Sequence, residues 1–218
     1  MSITRKLNFF ALLAVFAALA VPMQAHAALL SGLGDPLTAI PGGNQETFDS
    51  VTPGTYSSIT TSNGVTITPD QGVLYIDNAY SGSYNNPGQS LHNCYCGDSF
   101  GALTFNLSGP ASAVAFNFGA SDQSWTLSAY DSSNSLLESE SIGPTFSSNA
   151  GEFFGISTGV GDISKVTLTG ASSDYIFVDN LTVSAVPLPG SVGMFGSALL
   201  GLVGIAGTRR KRSAPVLA

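Results

Sequence analysis

Between Ala28 and Val186 the chain alternates apolar and polar residues with period two, and no run of helical period interrupts it. Val65 to Thr68, Val73 to Asp77, Leu103 to Leu107 and Val114 to Phe118 all carry this pattern. So do Trp125 to Tyr130, Lys165 to Thr169 and Tyr175 to Val183. Alternating Val, Ile, Thr, Phe and Tyr put one face of a strand in a core and the other in water. Turn-forming clusters separate the runs, among them Pro53-Gly54, Asn63-Gly64, Asn86-Pro87-Gly88 and Ser108-Gly109-Pro110. A chain so patterned is restricted to antiparallel β architecture. About nine or ten short strands predict an all-β antiparallel sandwich of jelly-roll type. Its bounds are 46–185, behind a Gly- and Pro-rich leading arm, 28–45.

The charges are segregated. Six of the seven basic residues lie in the terminal segments, at Arg5, Lys6, Arg209, Arg210, Lys211 and Arg212. The body keeps Lys165 and all fourteen acids, for a net charge of −13. A body without Arg cannot clamp a phosphate backbone, which excludes nucleic acid as a partner. Arg5 and Lys6 precede an apolar run, Phe9 to Val21, and Ala25-His26-Ala27 supplies small residues ahead of Ala28. That is the layout of a signal peptide over 1–27, cut between Ala27 and Ala28. At the other end, a charge-free apolar segment over 192–207 predicts a short transmembrane helix. Its first fifteen residues would cover about 22 Å. The basic run should stay on the cytoplasmic side, with the acidic body outside.

The last thirty residues resemble the PEP-CTERM sorting signals of Gram-negative bacteria, in their VPLPA-like variant. Val186, Pro187, Leu188 and Pro189 carry the motif, the Gly-rich span from Val192 follows, and Arg209, Arg210, Lys211 and Arg212 close it. Leu188 stands where the name-giving motif has Glu. The sorting signal spans 186–212, with a tail at 213–218. The resemblance implies an exosortase-type membrane protease as partner, a transient inner-membrane anchor, and delivery to the cell surface or an exopolysaccharide matrix. The body is similar to galactose-binding-like and carbohydrate-binding β-sandwiches along three stretches: 46–49, 113–131 and 173–183. That implies a non-enzymatic, carbohydrate-associated role. The alternatives are a structural matrix component without a defined ligand and a polysaccharide-active enzyme.

Candidate chemistry follows. Once 1–27 is removed His92 is the only histidine, and no Ser sits in a Gly-x-Ser-x-Gly setting. The chain is therefore read as no enzyme. Calcium is a better use of the acids, since it takes carboxylate and carbonyl oxygens. Jelly rolls of the kind this body resembles hold a structural Ca²⁺ where first and last strands meet. The matching positions are Glu46, Asp49 and Asp179. Asp179 also breaks an apolar run, and a buried acid needs a partner or an ion. Asp179 and Asn180 merely satisfying a turn or facing solvent is the competing reading. The stretch from Tyr80 to Phe100 reads as one long polar, aromatic loop. In it Tyr80, Tyr84 and Tyr95 could stack on sugar faces while Asn85 and Asn86 bond hydroxyls. Packing of those rings on their own sandwich is the alternative. Trp125, Phe116 and Phe118 are assigned to the core. Cys94 and Cys96, in an exported chain, predict a local disulfide. A metal site with His92 and an intermolecular bond remain open beside it.

Overall fold

The computed structural model of the protein describes residues 27–93 and 100–185. The expected signal segment up to His26, Cys94, Tyr95, Cys96 and the sorting tail from Val186 lie outside those residues. Among the described residues no helix is long and apolar enough to cross a membrane.

Among the described residues thirteen strands run in chain order: β1 Ala28–Leu33, β2 Asn44–Glu46, β3 Gly54–Tyr56, β4 Ile59–Thr60, β5 Val65–Pro69, β6 Leu74–Asp77 and β7 Ser90–His92. Then come β8 Ala102–Gly119, β9 Trp125–Tyr130, β10 Leu136–Ile142, β11 Glu152–Ser157, β12 Ile163–Thr169 and β13 Phe177–Ala185. Every pairing is antiparallel. The all-β, antiparallel expectation therefore holds.

The Ser108-Gly109-Pro110 cluster does not end a strand, as its composition predicts. It bends one. The first half of β8 pairs with β5 and β12, and the second half with β11 and β13. One strand thus serves two layers, β4-β5-β8-β12-β9-β10 and β1-β11-β8-β13-β7-β6-β3. The rings of Phe105 and Phe116 measure the bend. They stack at 5.6 Å, whereas eleven residues of straight strand would separate them by roughly 36 Å. A bend at a bulge is how a strand turns a sandwich corner.

The two inner faces meet in one core. Ile67, Ile76, Leu91, Phe105, Phe116, Phe118, Leu168 and Val178 are all fully buried. Trp125 is fully buried too, in line with its place on one strand face with Leu127 and Ala129. Residues 28–45, the expected leading arm, pack on the sandwich. β1 is a strand paired along its whole length with β11, and β2 pairs with β13. Leu30 and Ile40 pack on Phe153, Ala113 and Ala115, which form a second small cluster. The apolar side chains of the leader supply this packing, which its Gly and Pro content obscures.

Candidate functional site

Four connections meet at one end of the sandwich: 78–89 after β6, 120–124 after β8, 143–151 after β10 and 170–176 after β12. Each contributes to one open cleft of about 380 Å³, lined by Tyr84, Ala120, Asp122, Phe146, Ser147 and Tyr175. Phe146 is 59% exposed at the tip of its loop. Among the described residues, seven non-glycine residues have positive φ, and three of them line this cleft. They are Tyr84 (56°), Ala120 (66°) and Phe146 (47°). Left-handed backbone costs a side-chain-bearing residue free energy and persists where surrounding contacts impose it.

Those contacts can be named. Asp174, only 4% exposed, accepts N–H bonds from Asp122 (2.8 Å), Gln123 (3.2 Å), Tyr175 (3.0 Å) and the Trp125 indole (2.8 Å). It holds two cleft walls, Asp122 and Tyr175, against the core tryptophan. The backbone N–H groups of Thr145 and Phe146 donate to the carbonyl of Ser121 at 3.0 and 2.9 Å. Asn149 Oδ1 accepts the Tyr84 N–H at 2.6 Å. Gly119 completes the frame: a Cβ there would overlap the backbone carbonyl of Tyr84. Gly119→Ala is expected to push the Tyr84 segment off β8 at about 1–3 kcal/mol. Chemical denaturation should read that loss, and an unchanged midpoint would mean that the segment shifts freely.

Behind the cleft lies an aromatic cluster. Tyr80 sits edge-on to Tyr84 and Tyr175, with centroids 5.7 and 6.0 Å away. Tyr84 stacks on Phe177 at 5.6 Å. His92 Nδ1 lies 2.8 Å from the carbonyl of Asn93 and 3.1 Å from the Tyr175 hydroxyl. Its Nε2 faces Asp77 at 3.2 Å. Burial, then neighbouring Tyr80, Asp77 and Tyr84, push the Tyr175 hydroxyl above the usual phenol range. That hydroxyl stays protonated and able to donate.

The residues expected to bind sugar therefore divide. Tyr80 and Tyr84 join the aromatic assembly, and Tyr84 lines the cleft. Asn85 and Asn86 instead line a separate cavity, also of about 380 Å³, with Asp35, Asn117 and Asn180, and both are buried. Asn85 donates to the Phe118 carbonyl (2.9 Å) and Glu152 (3.0 Å), and accepts from Gly151. Asn86 donates to Ser90 at 2.8 Å. Their amides hold the loop. The expected long loop is itself interrupted by β7, which pairs with β6 and β13. Asp122, Phe146, Tyr175 and Asp174 were not singled out by the pattern. Phe146 carried the one readable signal, an isolated aromatic in Gly143-Pro-Thr-Phe-Ser-Ser-Asn149.

Glu46, Asp49 and Asp179 do lie near one another, where β2 and β7 succeed each other along β13. Their oxygens are used on backbone amides. Glu46 accepts from Phe48 and Ser62, both at 2.8 Å, and Asp49 accepts from Gln89 at 2.9 Å. Asp179 accepts from Asn180 at 2.7 Å and from Gly88 at 3.4 Å. Among the described residues no three Asp, Glu, His or Cys side chains converge to hold a metal. In this arrangement the three acids close backbone turns. Asp179 and Asn180 sit at a bulge in β13, with Asn180 at φ 50°, and Asp179 is buried and does not face solvent.

No protein-family model matches the sequence, and no curated protein matches it. Solved structures do resemble it. The K2 cleaved adhesin domain of Lys-gingipain aligns at 12% identity and a TM-score of 0.43, over 66% of this chain and 98% of that one. The carbohydrate-binding module TmCBM61, solved with β-1,4-galactotriose, aligns at 13% identity and a TM-score of 0.30, over 55% and 86%. A variant of the family 29 module CBM29-2 aligns at 12% identity and a TM-score of 0.31, over 72% and 91%.

Proposed function

We propose that this is an exported, non-enzymatic protein of the cell surface or exopolysaccharide matrix, and that it holds a saccharide in the aromatic cleft. One observation carries the reading: four connections converge to set Tyr84, Phe146 and Tyr175 around an open space of about 380 Å³. That is the size of a small-ligand site. Ring faces suit the apolar faces of a pyranose, and Ser147, Asp122 and the Tyr175 hydroxyl can bond its hydroxyls. His92 is engaged by Asn93, Tyr175 and Asp77, an arrangement that supports ring positioning over nucleophile activation.

A glycan array followed by titration calorimetry tests the reading. Tyr84→Ala and Phe146→Ala should each weaken the saccharide found by roughly tenfold. Phe146→Ala should leave the melting temperature unchanged, since its side chain stands in solvent. A blank array would favour a structural component without a defined ligand.

Export and processing belong to the same proposal. The supporting features are the segregated basic residues and the Val186-Pro187-Leu188-Pro189 motif. Replacing Pro187 and Pro189 with Ala should keep the protein in the membrane fraction. Unchanged release into the medium would count against exosortase processing.

A further inference from the structure

We infer that the group held in the aromatic cleft is a cation, an ammonium carried on an amino sugar; this rests on the carbohydrate reading above. Three aromatic residues, Tyr84, Phe146 and Tyr175, line the cleft. The face of an aromatic ring is the negative end of its quadrupole and attracts an ammonium group. Asp122 is the one charged residue among the lining residues. Its backbone N–H is tied to Asp174, and the residue is exposed. Asp77 adds negative charge beside Tyr175.

The one lysine of the body is engaged elsewhere. Lys165 lies over the ring of Tyr130, 4.3 Å from its centroid, where β12 pairs with β9. The body contains no Arg to form a bidentate pair with a uronic acid or sulfate. An acidic sugar would enter a site with a carboxylate and no guanidinium. A neutral sugar would use the rings alone. Only a charged amine uses the rings, the carboxylate and the net charge of the body together.

The test is calorimetry of the purified protein under mildly acidic conditions at low salt. The probes are a glucosamine oligomer with free amines, its N-acetylated counterpart of equal length, and a uronic-acid oligomer. The free-amine oligomer should bind roughly tenfold tighter than the acetylated one. Asp122→Asn and Phe146→Ala should each shrink that preference, and neither side chain supports the core. Asp122→Asn alters the large negative charge of the body by one, and Phe146→Ala alters it not at all. A preference surviving both changes would therefore be diffuse attraction and would overturn the inference. Equal affinity for the two glucosamine oligomers, or tighter binding of the uronic acid, would overturn it and leave the carbohydrate reading standing. Binding of no oligomer would overturn it too, and the glycan array would then decide the carbohydrate reading separately.

Discussion

Asp174→Ala should lower the melting temperature by about 10 °C and abolish the saccharide binding proposed for the aromatic cleft. The carboxylate is buried and takes four N–H donors: three from the backbone of Asp122, Gln123 and Tyr175, and one from Trp125. Removing it leaves those donors to compete for whatever water can enter. Breaking a buried, charge-assisted network typically costs about 3–5 kcal/mol. For a domain of this size each kcal/mol moves the midpoint by about 2–4 °C. Asp174→Asn should cost less, because the shape is kept and one oxygen still accepts. Calorimetry of the two variants gives the comparison. The binding loss has a separate origin: Asp122 and Tyr175 both owe their places to this carboxylate. A drop of under about 2 °C for Asp174→Ala would show that the donors are satisfied without it, and the cleft would then need another frame.

How far the sequence carried depends on which kind of order is asked for. Strand identity is local, so alternation placed β5, β6, β9, β12 and β13 close to where they lie. The core role of Trp125 followed from its shared face with Leu127 and Ala129. Strand continuity is not local. Ser108-Gly109-Pro110 has turn chemistry, and only pairing with β12 on one side and β13 on the other turns it into a bend. Leader residues 28–33 show little alternation and gain their strand from β11. The cleft was least legible. Tyr84, Ala120, Phe146 and Tyr175 lie far apart in sequence and meet because β6, β8, β10 and β12 end at the same edge. Asp174 shows the limit most clearly: in the sequence it is one acid in a Ser-rich turn, and three of its four donors come from the distant stretch 122–125. The calcium trio shows the converse. Proximity of Glu46, Asp49 and Asp179 was legible, whereas the amides that occupy their oxygens were not.

Stability should fall as pH rises from about 5 to 9 in metal-free buffer, and Asp179→Asn should remove most of that slope. Asp179 is 1% exposed, and burial pushes its carboxyl up to about 8. The amides of Asn180 and Gly88 pull it back, while the charges of Asp49 and Glu46 raise it further. Gly88 is wedged between the acids: its N–H reaches Asp179, and a Cβ on it would lie 2.6 Å from Asp49 Oδ1. In the unfolded chain the same carboxyl titrates near 4. Between those two values the folded state holds a proton that the unfolded state has released, so raising pH favours unfolding. The contribution is fully present below pH 4 and is lost as pH passes 8. At about 1.4 kcal/mol per pH unit the full span is at most about 5 kcal/mol. Asn mimics the protonated acid in shape and has no proton to lose. Its profile should therefore stay level where the parent declines. A parent profile already flat from pH 5 to 9 would mean that Asp179 is ionised and stabilised by something other than a proton. Calcium provides the decisive second arm. An ion among these carboxylates would hold Asp179 charged, raise the midpoint at alkaline pH and abolish the slope. With the oxygens already committed to backbone amides, added calcium and added chelator should both leave the parent profile where it is.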